Sequence, residues 1–333
     1  MRVIVTGAAG FIGAHVLKKM TELGFEAIGL DNFSSYYSVD YKHKRLEALK
    51  IDKSKYLIDC DISNYSKVEE TISALKPKYV IHLAGQAGVR LSLMESNAYI
   101  SSNIEGFQNI IRSSIINDVS GILYASSSSV YGDSSPIPFK ENSESLRPKS
   151  IYGVTKLSNE MFAEIQSKSS GIRFRGIRLF TVYGPWGRPD MAYFRIAAAA
   201  LGQGKFTLFG DGSIQRDFTY IDDVVNGTVM LFQDLIHREE GFNDIINLGG
   251  GRPMTVNHLI DLILRLGNNQ MEISKSDQNK LDSRITMADN SYLKSILGEL
   301  KFTDLEMGVE NLMKWAKHKE VKLELLNWIE STS

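Results

Sequence analysis

The chain opens MRVIVTGAAGFIG, a short apolar run that turns at Gly7, Gly10 and Gly13 straight into an amphipathic stretch. This G-x-x-G-x-x-G spacing between a strand and a helix constrains the fold more than any other feature. Such glycines let backbone approach a pyrophosphate, whose charge rests on the helix N-terminus. A glycine-rich turn alone would be a weak signal, because it also serves as an ordinary tight turn. Its place between a strand at 2–6 and a helix at 13–23 gives it weight.

The first half continues the alternation. Strands are predicted at 26–31, 56–59, 79–83, 121–126 and 174–180, and helices at 66–75, 100–117 and 151–167. Several of the strands are nearly unbroken apolar runs, as parallel strands covered on both faces require. The pattern predicts an α/β fold, a doubly wound parallel (Rossmann) sheet. Beyond Phe180 the rhythm loosens. A helix is expected at 195–202, an extended stretch at 206–209, strand-then-helix across 216–234, a strand at 245–248, and helices at 256–266 and 304–318. Residues 1–180 are thus expected to hold the dinucleotide, with 216–250 partly returning to that half. Residues 181–330 are expected to form a smaller, interleaved α/β half for the substrate.

Composition excludes other classes. The chain has 333 residues, with 38 Lys+Arg against 39 Asp+Glu, so no charge footprint for nucleic acid or an anionic membrane exists. No apolar run reaches the roughly 18 residues needed to span a bilayer. The single cysteine, Cys60, rules out an intrachain disulfide and suits a reducing compartment. Met1 leads directly into the first strand, leaving no room for a secretory leader, and a cytoplasmic globular protein is expected.

Candidate cofactor residues follow the strand ends. Asp31, with Asn32 beside it, closes the second strand, where a carboxylate accepts bonds from both adenosine ribose hydroxyls and repels a 2′-phosphate. This predicts NAD over NADP, against the plainer reading of a loop carboxylate. Asp61 and Ile62 follow the third strand and can flank the adenine, or simply form a turn. Leu83-Ala84-Gly85, with Gln86 beyond, is a small-residue strand end that admits the nicotinamide ribose. His82 reads as a packed core histidine. Asn103 sits in a predicted helix, where Asn is a poor former, and suits a backbone or water network as well as an exposed site.

The reacting groups are Ser127 in YASSSSVYG, and Tyr152 and Lys156 in SIYGVTKLSNE. Tyr and Lys four apart share one helix face, a common pairing by itself. A free phenol has a pKa of about 10. A nearby ammonium and a positive nicotinamide ring would favour the phenolate, making it a base near neutral pH. Ser127 would hydrogen-bond the reacting oxygen.

Glycine turn and Ser/Tyr/Lys set together make the chain resemble the extended short-chain dehydrogenase/reductase family, and within it the nucleotide-sugar 4-epimerases, from Met1 to about Ile296. The resemblance implies Ser127, Tyr152 and Lys156 as catalytic residues. It implies Phe11, Ile12, Asp31, Asp61, Ile62, Asn103 and Phe180 as NAD contacts. The strings DNFSSYYSVDYKHKRL, HLAGQAGVRLSL, LFTVYGPWGRPDMAYF and GDGSIQRDFTYIDD are similar to the UDP-glucuronate 4-epimerase branch. That likeness implies a UDP-sugar substrate, with Arg216 holding its phosphates through a bidentate fork and Arg188 and Thr181 in the loop that meets the sugar. For Arg188 the plainer reading is a solvated loop arginine.

If the substrate is UDP-glucuronate, its 4-keto form is a β-keto acid that loses CO2 readily. Ser128, Ser129 and Thr181 are candidates to hold the carboxylate out of the alignment that loss requires. Related dehydratases and decarboxylases carry an acid just before the VYG-like triplet, where this chain has Ser128-Ser129. A neutral UDP-glucose/galactose or UDP-N-acetylhexosamine 4-epimerase is the nearest alternative. A decarboxylase and a catalytically silent NAD-binding protein are further ones. The sequence also departs from the branch. Gly85 replaces alanine, Leu281 replaces the usual Gly, and Asn279 stands where many sugar epimerases carry arginine, with Arg284 nearby. The two long helices at 100–117 and 151–167 could pair across a homodimer as a four-helix bundle, or simply face solvent.

Overall fold

Seven parallel strands form the central sheet of the computed structural model, which describes residues 1–89, 91–202, 204–267, 271–277 and 283–330. From edge to edge their order is Asn243–Leu248, Arg173–Leu179, Gly121–Ser127, Tyr79–His82, Arg2–Thr6, Glu26–Asp31 and Leu57–Asp59. The chain winds outward in one direction from Arg2–Thr6 and then, starting at Tyr79–His82, in the other. The crevice at the carboxyl ends of these two strands is the switch point where α/β sheets bind ligands.

The period-2 alternation of the first strand explains the layering. Val3 and Val5 pack with the Phe11–Glu22 and Ile221–Ile236 helices on one face. Ile4 packs on the opposite face with Phe107, Ile110 and Ile111. All are buried, so the strands are apolar on both sides, as doubly covered strands must be. Ile221–Ile236 covers one face of the sheet, and Asn243–Leu248 pairs in parallel with Arg173–Leu179 at its edge. The remaining strands form a three-stranded sheet (Pro253–Thr255, Gln215–Tyr220, Thr181–Tyr183) and a parallel pair (Phe206–Phe209, Ile273–Ser276).

The predicted helix at 100–117 is more complex than periodicity suggests. A short helix, Ser96–Tyr99, runs into a π-helical turn at Ile100–Glu105 and then into Gly106–Ile116. At Gly106 a β-carbon would meet the Ile62 side chain at 2.7 Å, so only glycine lets this helix close on the third strand's turn. Two helices are not among those predicted: Val39–Ala48, rich in charge and without a strong apolar stripe, and Lys319–Glu330, although Val321, Leu325 and Trp328 share one buried face there. The first starts at Ser38, whose hydroxyl caps Tyr41 N–H at 3.1 Å, and it buries Tyr41 and Arg45. Among the described residues, no helix is long and apolar enough to cross a membrane. Asn279 and Leu281 lie outside the described residues.

Candidate active site

The switch-point crevice is an elongated cleft of about 470 Å³. Its first wall is the glycine turn. Gly7 takes φ +70, and a β-carbon there would sit 2.8 Å from Ala84 N. At Gly13 it would sit 2.0 Å from Gly7 O, so the helix start presses directly on the turn. The N-cap, Gly10, has no side-chain hydrogen bond, and the first-turn N–H groups remain for an anion.

Asp31 lines the cleft nearby but is already engaged. Oδ2 accepts from Ala9 N–H at 2.9 Å and Oδ1 from Phe33 N–H at 2.8 Å, so the carboxylate braces the turn and keeps lone pairs for ribose hydroxyls. Asn32 donates to Asp61 Oδ2 at 3.0 Å, tying the second and third strand ends together beside Ile62. Lys42, not singled out in the sequence, also faces this end. Its ammonium donates to Ser34 O at 2.6 Å and feels the charge of Asp31.

Tyr152 and Lys156 reach the other end from one well-defined helix, Ile151–Ser170. Ser150 caps it by accepting from Gly153 N–H at 3.0 Å, and Gly171 ends it at φ +76. The Ser127 hydroxyl lies beside the Tyr152 phenol in the cleft wall. Lys156 Nζ donates to Ala125 O at 2.9 Å and lies 6.0 Å from the Tyr152 ring centre. Burial raises the Tyr152 pKa, against the lowering pull of the Ser127 hydrogen bond and the Arg188 charge.

Burial also brings Lys156 down from 10.5 to about 8. Between those two pH values the unfolded chain binds more protons than the folded one, so this lysine's cost to stability is fully present below pH 8 and relieved toward 10.5. Lys156→Met is therefore expected to melt higher than the parent at pH 7, by roughly 2–4 °C per kcal/mol relieved. The gap should close as the pH approaches 10.5, and paired thermal melts at pH 7 and 10 check it.

Of the predicted residues, Gly7, Gly10, Phe11, Ile12, Gly13, Asp31, Asn32, Asp61, Ile62, Leu83, Ala84, Gln86, Ser127, Tyr152, Lys156, Phe180 and Arg188 all line the cleft. Asn103 stands behind the wall. Its Oδ1 accepts from Gln86 N–H at 2.7 Å and its Nδ2 donates to Gln86 O and Thr155 Oγ1, fixing the strand end in place. His82 is a packed core residue, paired with Thr6 Oγ1 at 2.9 Å and lowered by burial to about 3.

Four predicted substrate residues fall outside the lining. Ser129 turns onto Ser127, donating its N–H to the Ser127 hydroxyl and accepting that hydroxyl's proton, both at 3.1 Å. Ser128 lies in the same 3-10 turn, Ser128–Val130. Thr181 is taken up in the strand paired with Phe218. Arg216 donates to Ser283 O at 2.7 Å, on the three-stranded sheet. A short local run such as SSSS cannot reveal where the strand gives way to the 3-10 turn, after Ser126 and Ser127, which line the cleft, and before Ser128 and Ser129, which do not.

Arg188 is the opposite case, a loop arginine that is clamped rather than solvated. Nε donates to Asp190 Oδ1 at 3.0 Å, Nη2 binds Oδ2, and Tyr36 donates to the same carboxylate at 3.1 Å. Burial opposes the guanidinium's charge, but the Asp190 carboxylate outweighs it and holds the arginine firmly ionised. Tyr36 and Asp190 escaped the sequence reading. The Arg-Pro-Asp spacing was the signal for Asp190, and nothing local pointed to Tyr36.

The cleft suits a dinucleotide. It is elongated, carries an anion-ready helix end midway and carboxylates at one extremity, and ends at Tyr152 and Lys156. Among the described residues, no group of His, Cys, Asp and Glu is arranged to hold a metal.

Comparison with known proteins agrees with this geometry. The model of the NAD dependent epimerase/dehydratase family matches residues 3–249. UDP-glucuronate 4-epimerase from Thermodesulfobacterium geofontis is 36% identical, over 94% of this chain and 95% of its own length. UDP-glucuronate 4-epimerase 2 of Arabidopsis thaliana is 35% identical over 94% of this chain and 75% of its own. The solved structure of UDP-glucuronic acid 4-epimerase from Bacillus cereus, in complex with UDP-glucuronic acid and NAD, is similar at a TM-score of 0.87 and 30% identity. The match covers 95% of this chain and 99% of that one.

Proposed function

The chain belongs to the NAD dependent epimerase/dehydratase family, and on that premise we propose that it inverts C4 of UDP-glucuronate to give UDP-galacturonate through a transient 4-keto sugar. The observation that carries the reading is the convergence of Tyr152, Lys156, Ser127 and a clamped Arg188 at one end of a dinucleotide-shaped cleft. Near-full-length similarity to UDP-glucuronate 4-epimerases supports the choice of sugar.

NAD, when bound along the cleft, supplies the acceptor and donor of the C4 hydride. Gly7, Gly10 and Gly13 with the first-turn N–H groups would hold its pyrophosphate, Asp31 and Asp61 would meet its adenosine half, and Ala84 to Gln86 its nicotinamide ribose. Tyr152 takes the C4 hydroxyl proton and returns it after the sugar has presented its other face. Ser127 holds the reacting oxygen. Lys156, fixed on Ala125 O, places a positive charge at the same end. The reaction is redox-neutral overall, so it consumes no reductant. Arg188, its charge already matched by Asp190, does not by itself choose between an acidic and a neutral sugar, and the choice rests on the similarity to UDP-glucuronate 4-epimerases. The product is an acidic glycosyl donor, fitting polysaccharide precursor synthesis in the cytoplasm.

Proton NMR of the protein with UDP-glucuronate and no added reductant tests the reading. The C4-inverted acidic sugar should appear, without pentose. Turnover of UDP-glucose or UDP-N-acetylglucosamine alone would overturn the choice of sugar and keep the chemistry.

The same reading includes a homodimer. Val154, Met161 and Ile165 lie exposed along the Tyr152 helix, at 49%, 59% and 62%, and Ile100, Ile115 and Ile116 are exposed on the neighbouring helix. Exposed apolar side chains grouped on one helix face, as Val154, Met161 and Ile165 are, mark association surfaces. Light scattering should give twice the chain mass, and Ile165→Glu should halve it. A monomeric parent would remove the dimer.

A further inference from the structure

Arg45 is fully buried, and among the described residues no carboxylate pairs with it. Its charge is held instead by two backbone carbonyls, a phenol and two ring faces. Nη1 donates to Ala9 O at 2.7 Å and to Tyr37 Oη at 2.9 Å, and Nε donates to Trp186 O at 2.8 Å. The Tyr37 and Tyr41 rings lie 5.5 and 4.8 Å from the guanidinium carbon.

The two carbonyls belong to different loops. Ala9 lies inside the glycine turn, where its N–H is bound by Asp31. Trp186 lies in the loop that carries Arg188 and takes φ +60, a left-handed conformation that a bulky side chain adopts only under external constraint. The next carbonyl, Gly187 O, accepts from Tyr41 Oη at 2.7 Å, and Tyr36 holds Asp190 two residues beyond Arg188. One segment, 36–45, therefore holds the 186–190 loop, and among the described residues Arg45 is the side chain that hydrogen-bonds both that loop and the turn.

We propose that Arg45 is a positioning residue that couples dinucleotide binding at the glycine turn to the placement of the Arg188 loop, so that cofactor and nucleotide sugar bind cooperatively. The proposal rests on the function proposed above. A rigid planar fork can hold two carbonyls at a fixed separation, whereas a lysine ammonium is a single point on a flexible stem. Displacement of the Ala9 carbonyl on one side is thus passed to the Trp186 carbonyl on the other. Coupling of this kind is reciprocal, and each ligand tightens the other by the same factor.

The chain has three tryptophans, and they form one cluster. Trp186 packs on Trp315 at 5.4 Å and on Trp328 at 6.0 Å, and none of the three lines the cleft. Intrinsic emission consequently reports the loop rather than the cofactor pocket. NAD titrated into the whole chain, followed by calorimetry and by emission, should shift the emission of the parent in step with occupancy. Saturating NAD should also tighten UDP-glucuronate binding about tenfold. R45K should still bind NAD by calorimetry, yet show no emission shift and a coupling factor near one.

A full emission response in R45K, or a silent parent at calorimetric saturation, overturns the proposal. Should R45K not fold, hydrogen exchange on the parent decides: NAD must slow exchange across 184–190, and unchanged exchange overturns it. The emission arm contains no sugar. Failure to turn over UDP-glucuronate with that arm intact therefore counts against the function reading and leaves the coupling standing.

Discussion

Tyr152→Phe is expected to lower turnover of UDP-glucuronate by about 10²- to 10⁴-fold, the range a positioned general acid–base contributes. The change removes one oxygen from a half-buried position in the cleft wall and leaves the ring, so the cleft walls and NAD affinity should persist. Burial raises the phenol's pKa, with Ser127 and Arg188 pulling it back. The parent's kcat should accordingly increase with pH across the neutral range, while the phenylalanine variant's residual rate should lose that dependence. Steady-state kinetics across pH 6–9, with calorimetry for NAD, provide the check. A variant that retains a tenth of parental turnover would remove Tyr152 from the proton transfer. A catalytically silent dinucleotide-binding protein would instead bind NAD and show no turnover in either form.

Glu160→Ala is expected to cost about 3–5 kcal/mol of stability, because it strips the partner from a buried cation. Glu160 lies two helical turns beyond Tyr152. Its carboxylate takes Arg178 Nε at 2.9 Å and Nη2 at 2.8 Å, and it also accepts the hydroxyl of Ser126, next to Ser127. Both side chains are almost wholly buried, with 3% of Arg178 and 7% of Glu160 exposed. Arg178 also stacks over Tyr131 at 4.7 Å. With the carboxylate gone, the guanidinium has no comparable partner and cannot deprotonate. Replacing both residues with Met should cost less than replacing Glu160 alone, since no charge is then stranded. Chemical denaturation of the three proteins tests this, and a single-variant loss below about 1 kcal/mol would show the pair to be dispensable.

Both experiments probe residues whose identity could be read from sequence and whose setting could not. The glycine turn, the alternating strands and helices, and the Tyr152/Lys156 face were legible because each is a local regularity. A turn needs glycines at fixed offsets, a doubly covered strand needs an unbroken apolar run, and a helix face repeats every three to four residues. The charged Val39–Ala48 helix had no such stripe, and it holds Arg45 and Lys42. Tyr36 meets Asp190 from 154 residues away, a pairing no local window contains.

The sequence by itself thus determined the doubly wound parallel sheet, its glycine turn and which side chains could do chemistry there. The tertiary structure decided which of those side chains reach the cleft: Arg188 does, held by Asp190 and Tyr36, whereas Ser128, Ser129, Thr181 and Arg216 do not line it. It also decided the protonation bias of Tyr152 and Lys156. The physical reason is that desolvation and long-range pairing are sums over every neighbour the fold brings together, whereas spacing and periodicity need only the residues next along the chain.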